Sequence, residues 1–252
     1  MDNIKASVCM ASFNLDPDIL RKVLRSIFSQ HPPFEYEVIV VDDGSSYGAP
    51  EVCPEFPVRY FRIEREPKTR CPSISHNVAY KMAKGEIIIA QADDVVHETP
   101  KAIERLCTIL EENQNTIVNA YVVGIDKDGK QTEKYTGTFR RGHRPYFFLG
   151  SLWKSDIYAI GGNEEEFTTS GGFCWEDKWF AKCLTSGRKL NPIYTNEDQV
   201  LGVHQYHPSR FSTTEGKRYD VEPTRINELL YNEKIRQAEM TGHWCSTGGP
   251  WE

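Results

Sequence analysis

Two adjacent carboxylates follow a strongly apolar stretch in the first half of the chain. The segment Ile87–Val96 has the sequence IIIAQADDVV, so Asp93 and Asp94 come directly after a predicted buried strand. Adjacent negative charges repel each other and lose hydration at such a place. Because Mg²⁺ and Mn²⁺ commonly share one or two carboxylates with a bound phosphate, the pair indicates a divalent-metal and diphosphate site. An Asp-rich turn that caps the next helix is an equally good explanation of the dipeptide alone.

Polar residues also follow two other predicted strands. Ala6–Phe13 is predicted to be a buried strand that ends at Asn14, and Glu37–Val41 is a second strand that ends at Asp42-Asp-Gly-Ser45. Strands that alternate with helices favour right-handed crossovers and a mainly parallel sheet. Ligands of such sheets lie outside the carboxyl ends of the strands. Three polar strand ends at one edge therefore predict a site more strongly than any one of them.

The remaining elements are predicted from hydrophobic spacing and from turn residues. The other strands expected in the first half are Val58–Ile63, Glu86–Ala90 and Thr116–Val123, and the helices are Asp16–Gln30, with Asp16 as N-cap, Ser73–Ala83 and Thr99–Asn113. The second half is expected to contain a hairpin turn at Asp126–Gly129, a helix at Asp177–Ser186, strands near Leu190–Tyr194 and Val200–Val203, and an amphipathic helix at Glu222–Glu239. The tail Gly242–Glu252 is either mobile or docked through its two tryptophans.

Composition excludes several classes of protein. The 252 residues carry a net charge of −6 with a pI near 5.7, which argues against a general nucleic-acid or anionic-membrane binder. No apolar run is long enough to span a bilayer, and the N-terminus does not resemble a secretory signal. Seven cysteines without CxxC pairs indicate reduced thiols and a cytoplasmic location. Glycine motifs of dinucleotide-binding, P-loop and serine-hydrolase proteins are absent from the sequence.

Four motifs in the first half, taken in order, resemble family 2 glycosyltransferases. They are Ser7–Asn14 (SVCMASFN), Val40–Ser45 (VVDDGS), His76-Asn77 followed by Ala83–Glu86 (AKGE), and Ala92–Asp94 (ADD). The resemblance implies an α/β GT-A fold, in which a Rossmann-like, mainly parallel sheet is flanked by helices and followed by an elaborated acceptor-side half. It also implies one domain, with a nucleotide-sugar-binding half at 1–123, an acceptor and catalytic half at 124–220, and a C-terminal helix and tail at 221–252.

The resemblance also implies roles for individual residues. Nucleotide base and ribose contacts fall to Ala11, Phe13 and Asp42, with Asp43 as a neighbour, and Arg70 is expected to compensate for His76, which replaces a common arginine. Counting from Gly85, Asp94 takes the place of the metal-binding aspartate and Asp93 that of a variable residue beside the ribose. In the alternative register, Gln91 replaces the first aspartate of the family motif, and the preceding strand is shortened.

A candidate catalytic base lies in the second half. Inverting sugar transfer needs a carboxylate that takes a proton from the acceptor hydroxyl. The segment Gly171–Asp177 (GGFCWED) ends in a Glu-Asp step beside Trp175, and family members carry an aspartate base at such a step. Asp177 is therefore the predicted base. The competing explanation is that Asp177 only stabilises the N-terminus of its helix.

Two histidines and one aromatic stretch complete the candidate site. His204 follows a late predicted strand and resembles the histidine that completes the metal shell in GT-A enzymes, with His207 as the alternative ligand. A surface or packed histidine is an equally simple interpretation. The stretch Phe139–Phe148 is rich in aromatic and basic residues, and it is interpreted either as part of an acceptor wall or lid, or as a solvated loop.

Together these features predict a metal-dependent inverting glycosyltransferase. It would move a sugar from a nucleotide-diphosphate sugar, with UDP preferred, to a hydroxyl of a glycan, a protein or a lipid-linked sugar, and Mn²⁺ or Mg²⁺ would be its cofactor. No nucleic-acid partner and no transmembrane segment are expected. A retaining GT-A transferase, a nucleotidyltransferase and a non-catalytic nucleotide-sugar-binding module are the alternatives.

Overall fold

The computed structural model describes residues 4–64, 71–134, 147–170, 172, 174–208 and 221–252. Within these residues the strands are β1 (Ile4–Ser12), β2 (Glu35–Asp42), β3 (Arg59–Arg62), β4 (Ile87–Gln91), β5 (Val95–His97), β6 (Thr116–Asn119), β7 (Tyr121–Ile125), β8 (Gln131–Lys134), β9 (Leu149–Trp153), β10 (Asn191–Tyr194) and β11 (Leu201–His204). The helices are α1 (Pro17–Phe28), α2 (Ala49–Val52), α3 (Ser73–Met82), α4 (Ala102–Glu112), α5 (Lys154–Ala159), α6 (Glu166–Thr169), α7 (Glu176–Lys182) and α8 (Val221–Thr241).

The larger sheet confirms the predicted mainly parallel architecture. Its strand order is β10-β6-β9-β4-β1-β2-β3, and only β9 runs antiparallel to its neighbours among the described strands. Both faces are covered, so the central strands are continuous apolar runs: Val38–Val41 and Ile87–Ile89 are fully buried. One face packs against α1 and α4, and the other packs against α3, α7 and α8.

The prediction of one strand over Thr116–Val123 is wrong. The chain leaves the main sheet after β6, and β7 belongs to a second sheet of order β5-β11-β7-β8. Ala120 lies at the change, where its amide donates to the Leu149 carbonyl. A continuous apolar run does not show where a strand changes sheets, since both sheets bury its side chains. The second sheet pairs His204 with Val95 and so brings β11 beside the Asp93-Asp94 turn.

Local signals explain where α1 and α4 begin. Asp16 caps α1 as predicted, because its side chain accepts a hydrogen bond from the Asp18 amide at 2.8 Å. The helix expected from Thr99 begins only at Ala102, since Lys101 has a positive φ of 65°. Helix α7 begins one residue before Asp177, and its continuation at Cys183–Gly187 is a π-helical turn.

The C-terminal helix and tail pack against the rest of the protein. Helix α8 buries Asn227, Tyr231, Lys234 and Ala238, which recur at helical spacing on one face, as the predicted amphipathic pattern requires. The tail is docked through its tryptophans, in line with one of the two expectations: Trp244 stacks on Trp179 with ring centroids 6.1 Å apart, and Trp251 meets Tyr158 edge-on at 5.3 Å.

All seven cysteines lie within the described residues and are free thiols. Among the helices that the structure describes, none combines the length and the apolar character needed to cross a membrane.

Candidate active site

Strand register brings the three predicted polar strand ends together. Cys9 of β1 pairs with Ala90 of β4, and Ser12 at the end of β1 pairs with Asp42 of β2. The Asp43 amide continues this pairing, since it donates to the Ser12 carbonyl at 2.9 Å. The carboxyl ends of β1, β2 and β4 therefore lie side by side at one edge of the sheet, where parallel α/β proteins bind ligands.

Asp42 lies at this edge, and its described contacts are internal. The side chain is fully buried: Oδ1 accepts from the Ser45 amide at 2.8 Å, and Oδ2 accepts from the Tyr60 hydroxyl at 2.6 Å and the Arg62 guanidinium at 2.7 Å. Burial and the hydrogen bond to Asp42 raise the pKa of Tyr60 to about 12, so the phenol remains a donor at neutral pH. Arg62 also donates to the Ser45 carbonyl at 2.9 Å, and this network shapes the turn after β2.

The other predicted nucleotide contacts lie at the same edge. Ala11 and Phe13 are half-buried at the end of β1, and Asp43 is 3% exposed at the first position beyond β2. The sequence motif alone marks Asp43 only as a neighbour of Asp42. The internal contacts of Asp42 make Asp43 the better candidate for a ligand contact. Arg70 lies outside the described residues, as do residues 139–146 of the aromatic stretch.

Gln91 fixes the turn that carries Asp93 and Asp94. Its Nε2 donates to the carbonyls of Ala92 and Val95 at 3.0 and 2.7 Å, so one amide group brackets both aspartates. The alternative motif register would require a shortened strand. Strand β4 includes Gln91 and is not shortened, so the structure favours the register in which Asp94 takes the metal-binding place. Both aspartates are buried, with 5% and 6% exposure.

His97 supports Gln91 from β5. Its Nε2 lies 2.8 Å from Gln91 Oε1, and because an amide oxygen only accepts, Nε2 must carry the proton. Burial lowers the pKa of His97 to about 4, so the ring is neutral at physiological pH. Sequence reasoning did not single out this pair.

Asp94, His204 and His207 form a cluster with the composition of a metal site. Asp94 Oδ2 lies 3.3 Å from His204 Nε2 and 3.0 Å from His207 Nε2, and the three candidate ligand atoms are all within 4.8 Å of one another. The Gln205 amide donates to the Asp94 carbonyl at 2.8 Å, which ties the two segments together. The sequence predicts the histidines as alternative ligands, whereas the structure brings both to Asp94.

The hydrogen bonding of His207 suits a metal ligand. Its Nδ1 lies 3.0 Å from the Pro208 carbonyl, which can only accept, so Nδ1 carries a proton. In the neutral ring, Nε2 then presents a lone pair toward the Asp94 carboxylate. The lone pair and the negative carboxylate repel each other, and a cation between the His207 ring and Asp94 would relieve this repulsion. Metal-bound histidines commonly donate their other N–H to a backbone carbonyl in this way. The residues present therefore fit a divalent metal.

The candidate base is carried by a loop with unusual backbone geometry. Cys174 and Trp175 have positive φ values of 63° and 77° immediately before α7. Asp177 lies in the first turn of α7, where its Oδ1 accepts from the Lys178 amide at 2.7 Å. This local bond agrees with the helix-terminus interpretation as well as with a base, so the role of Asp177 stays a prediction.

Glu176 lies beside the candidate base and was not singled out from the sequence. The Cys71 thiol donates to its Oε2 at 3.1 Å. Desolvation, with a smaller contribution from the charge of Asp177, raises the pKa of Glu176 to about 7. This direction favours the protonated form of Glu176, which lacks the negative charge that would repel the Asp177 carboxylate.

Two motif residues have structural partners, and the described end of the aromatic stretch lies near the metal cluster. The Asn77 amide donates to the Asn163 carbonyl at 2.9 Å and accepts from the Asn163 amide at 2.7 Å. His76 stacks on Tyr80 with ring centroids 5.9 Å apart. Phe148 packs edge-on against His204, with ring centroids 5.9 Å apart, and so lies beside the metal cluster.

The fold is that of GT-A proteins. A crystal structure of residues 1–349 of S. aureus TarS in complex with UDP superimposes with a TM-score of 0.62 at 17% identity, over 82% of this chain and 62% of that one. A second crystal structure of S. aureus TarS gives the same TM-score and identity, over 82% of this chain and 37% of that one. These likenesses confirm the predicted fold.

The chain belongs to glycosyl transferase family 2, whose family model matches residues 7–170. A poly(ribitol-phosphate) beta-glucosyltransferase of Bacillus spizizenii is 30% identical over 131 residues, which are 50% of this chain and 20% of that protein. The matched part of this chain thus spans about a fifth of the length of that relative. The family match includes Asp42 and Asp94 and ends before Asp177 and His204.

Proposed function

We propose that this protein is a metal-dependent inverting glycosyltransferase that uses a UDP-sugar. The observation that carries the proposal is the Asp94–His204–His207 cluster, because it lies at the strand edge where the family motifs converge. Family membership supports sugar transfer from a nucleotide-sugar donor, and the UDP complex of TarS supports UDP as the nucleotide.

In this proposal the donor is held by the strand ends. Ala11 and Phe13 flank the base, Asp43 and Asp93 bind polar groups of the nucleoside, and the Asp42 network keeps the β2 turn in place. Arg70 remains a predicted contact. Asp94, His204 and His207 would hold the metal, which neutralises charge on the donor diphosphate when bound. Two imidazoles and one carboxylate favour Mn²⁺ over Mg²⁺, since Mg²⁺ prefers oxygen ligands alone.

Asp177 takes the proton of the acceptor hydroxyl as that oxygen attacks the anomeric carbon from the face opposite the leaving UDP. The bond from the anomeric carbon to the UDP oxygen breaks, and one inversion results. Trp175, immediately upstream, is the predicted aromatic contact for a sugar ring, and its ring already contacts Tyr231 and the Lys178 ammonium. Residues 1–123 then form the donor half, 124–220 the acceptor and catalytic half, and 221–252 a supporting helix and tail within one domain.

The name of the Bacillus relative guides the choice of sugar and acceptor to test first. We infer a glucose donor and an acceptor with polyol hydroxyls, such as a poly(ribitol phosphate). Other glycans, proteins and lipid-linked sugars are further acceptors to compare. A cytoplasmic location remains a prediction from cysteine usage.

The test has two stages. A thermal-shift screen of UDP-glucose, UDP-N-acetylglucosamine, GDP-mannose and UDP, each with Mn²⁺ or EDTA, identifies the donor, because a ligand that binds only the folded protein raises its melting temperature. Transfer from that donor to the acceptors is then followed by UDP release, and NMR gives the anomeric configuration of the product. An α-linked donor that gives a β-linked product supports the proposal. Retention of configuration would exclude the inverting mechanism, and UDP binding without transfer or donor hydrolysis would favour a binding module.

A further inference from the structure

The loop that precedes the candidate base is fastened at both ends by one side chain of α8. Asn227 is fully buried, and its Nδ2 donates to the Cys174 carbonyl at 3.0 Å and to the Phe167 carbonyl at 3.2 Å. Its Oδ1 accepts from the Ser170 hydroxyl at 2.5 Å. Since carbonyls only accept, these partners fix the orientation of the amide group.

The same side-chain amide also contacts Cys71, the residue that faces Glu176. Asn227 Nδ2 lies 3.4 Å from the Cys71 sulfur, and the Cys71 thiol donates to Glu176. Ser170 extends the network, because its hydroxyl oxygen accepts from the Gly172 amide at 3.0 Å. Asn227 thus joins three separate parts of the chain, which lie before α3, at α6 and the residue after it, and before α7.

The loop needs such support because its backbone is strained. Positive φ values at Cys174 and Trp175 are unfavourable for residues with a side chain, and they persist only where surrounding contacts enforce them. Asn227 holds the carbonyl of Cys174. Tyr231, one helical turn later on the same face of α8, packs against the ring of Trp175 at 5.1 Å.

We propose that Asn227 is a positioning residue for sugar transfer: it clamps the ends of the Ser170–Cys174 segment and thereby sets the orientation of Asp177. The proposal rests on the proposed function through the role of Asp177 as base. The clamp is built from α8, which lies beyond the residues that match the family model. It predicts that catalysis depends on α8 although the described contacts of Asn227 are all internal.

The first experiment compares Asn227→Asp with the parent protein. The variant keeps the shape and Oδ1 but replaces the donor that faces two carbonyls with an acceptor. Asn232→Asp is the matched control, because it makes the same chemical change at an exposed position of α8. Hydrogen–deuterium exchange without any ligand should show the 170–178 segment exchanging about tenfold faster in Asn227→Asp only, with the 91–97 segment unchanged.

Kinetic measurements separate positioning from general loss of structure. We expect kcat to fall about 10- to 100-fold, since a small displacement of a reacting group has an effect of this size. The dissociation constant for UDP with Mn²⁺ should stay within about twofold of the parent value. The reason is that other contacts hold the donor edge, which is formed by the carboxyl ends of β1, β2 and β4. A parallel loss of kcat and UDP affinity would overturn the proposal, as would parent-like kcat in the folded variant.

Ser170 variants keep the test decisive if Asn227→Asp does not fold. Ser170→Ala removes the hydroxyl that links Oδ1 to the Gly172 amide, and Ser170→Thr retains it. Faster exchange and lower kcat in Ser170→Ala, restored in Ser170→Thr, would support the clamp, whereas equal behaviour of the two would contradict it. If the parent itself shows no transfer, the proposed function is wrong, and exchange of the 170–178 segment alone decides whether the clamp exists.

Discussion

The donor edge and the loop that carries Asp177 are built in different ways. At the donor edge, Ser12 and Asp42 are the last residues of β1 and β2, and Asp94 follows β4, so the register of these paired strands sets their relative positions. The loop before Asp177 has positive φ values, and side chains from distant parts of the chain hold it, chiefly Asn227. Strand pairing constrains a residue through many backbone bonds, whereas a side-chain clamp depends on a few groups. Single substitutions should therefore disturb the catalytic loop more selectively than the donor edge.

The largest expected effect separates the two regions directly. Asp177→Asn keeps the shape of the side chain and removes the proton acceptor, so kcat should fall by about two to four orders of magnitude. UDP affinity, measured by calorimetry, should stay unchanged because the base meets the acceptor. Asp198→Asn, at an exposed position, is the control. Near-normal turnover in Asp177→Asn would leave only the helix-terminus role for this carboxylate.

Acid should destabilise the donor edge through His97. The unfolded pKa of histidine is near 6.5 and the folded pKa of His97 is about 4, so its contribution to stability is fully present above pH 6.5. That contribution is lost as the pH falls toward about 4, by up to roughly 3 kcal/mol. Urea unfolding of His97→Gln should show a flatter pH dependence in this range than the parent. His243→Gln, at an exposed site, should follow the parent, and an equally steep His97→Gln curve would contradict burial of a neutral ring.

Asp42 and Asp43 test which carboxylate contacts the nucleotide. Asp43→Ala should weaken UDP binding by about 1–3 kcal/mol, the usual cost of removing one partner of a buried polar contact. Asp42→Ala should mainly lower the free energy of unfolding, because Tyr60 and Arg62 lose their shared acceptor. Calorimetry and urea unfolding of both variants separate the effects. A stable Asp42→Ala protein with weak UDP binding would restore the assignment made from the sequence.

The two histidines allow a smaller and finer test within the donor edge. His204→Ala and His207→Ala should each weaken Mn²⁺-supported UDP binding by roughly tenfold, and Mg²⁺-supported binding less, because imidazole suits the transition metal better. Titrations of UDP at fixed metal concentrations measure both. Equal losses of UDP affinity with the two ions would argue against direct ligation by imidazole. If only one of the two substitutions has an effect, only that histidine ligates the metal together with Asp94.

The same contrast explains what could be predicted from the sequence. Apolar runs that end in Asp42 and Asp94 predict strand ends, and the parallel sheet then places them together, so the donor edge was predictable. Asn227 could not be recognised, because an asparagine in an amphipathic helix carries no local signal of its distant partners. The change of sheet at Ala120 was hidden for a similar reason, since residues on both sides of it are apolar. The proximity of His207 to Asp94 depends on pairing between β5 and β11, which sequence spacing does not specify.

The central claim is that Asp94 and its histidines hold a metal that binds the donor diphosphate. Calorimetric titration of UDP into the parent and into Asp94→Ala, each with Mn²⁺ and with EDTA, tests it most directly. Asp128→Ala, at an exposed turn position, is the control. We expect the parent to bind UDP at least about tenfold more tightly with Mn²⁺, and Asp94→Ala to bind it weakly under both conditions while remaining folded. Equal UDP affinity of the parent with and without metal, or an Asp94→Ala protein that still responds to Mn²⁺ like the parent, would contradict the claim.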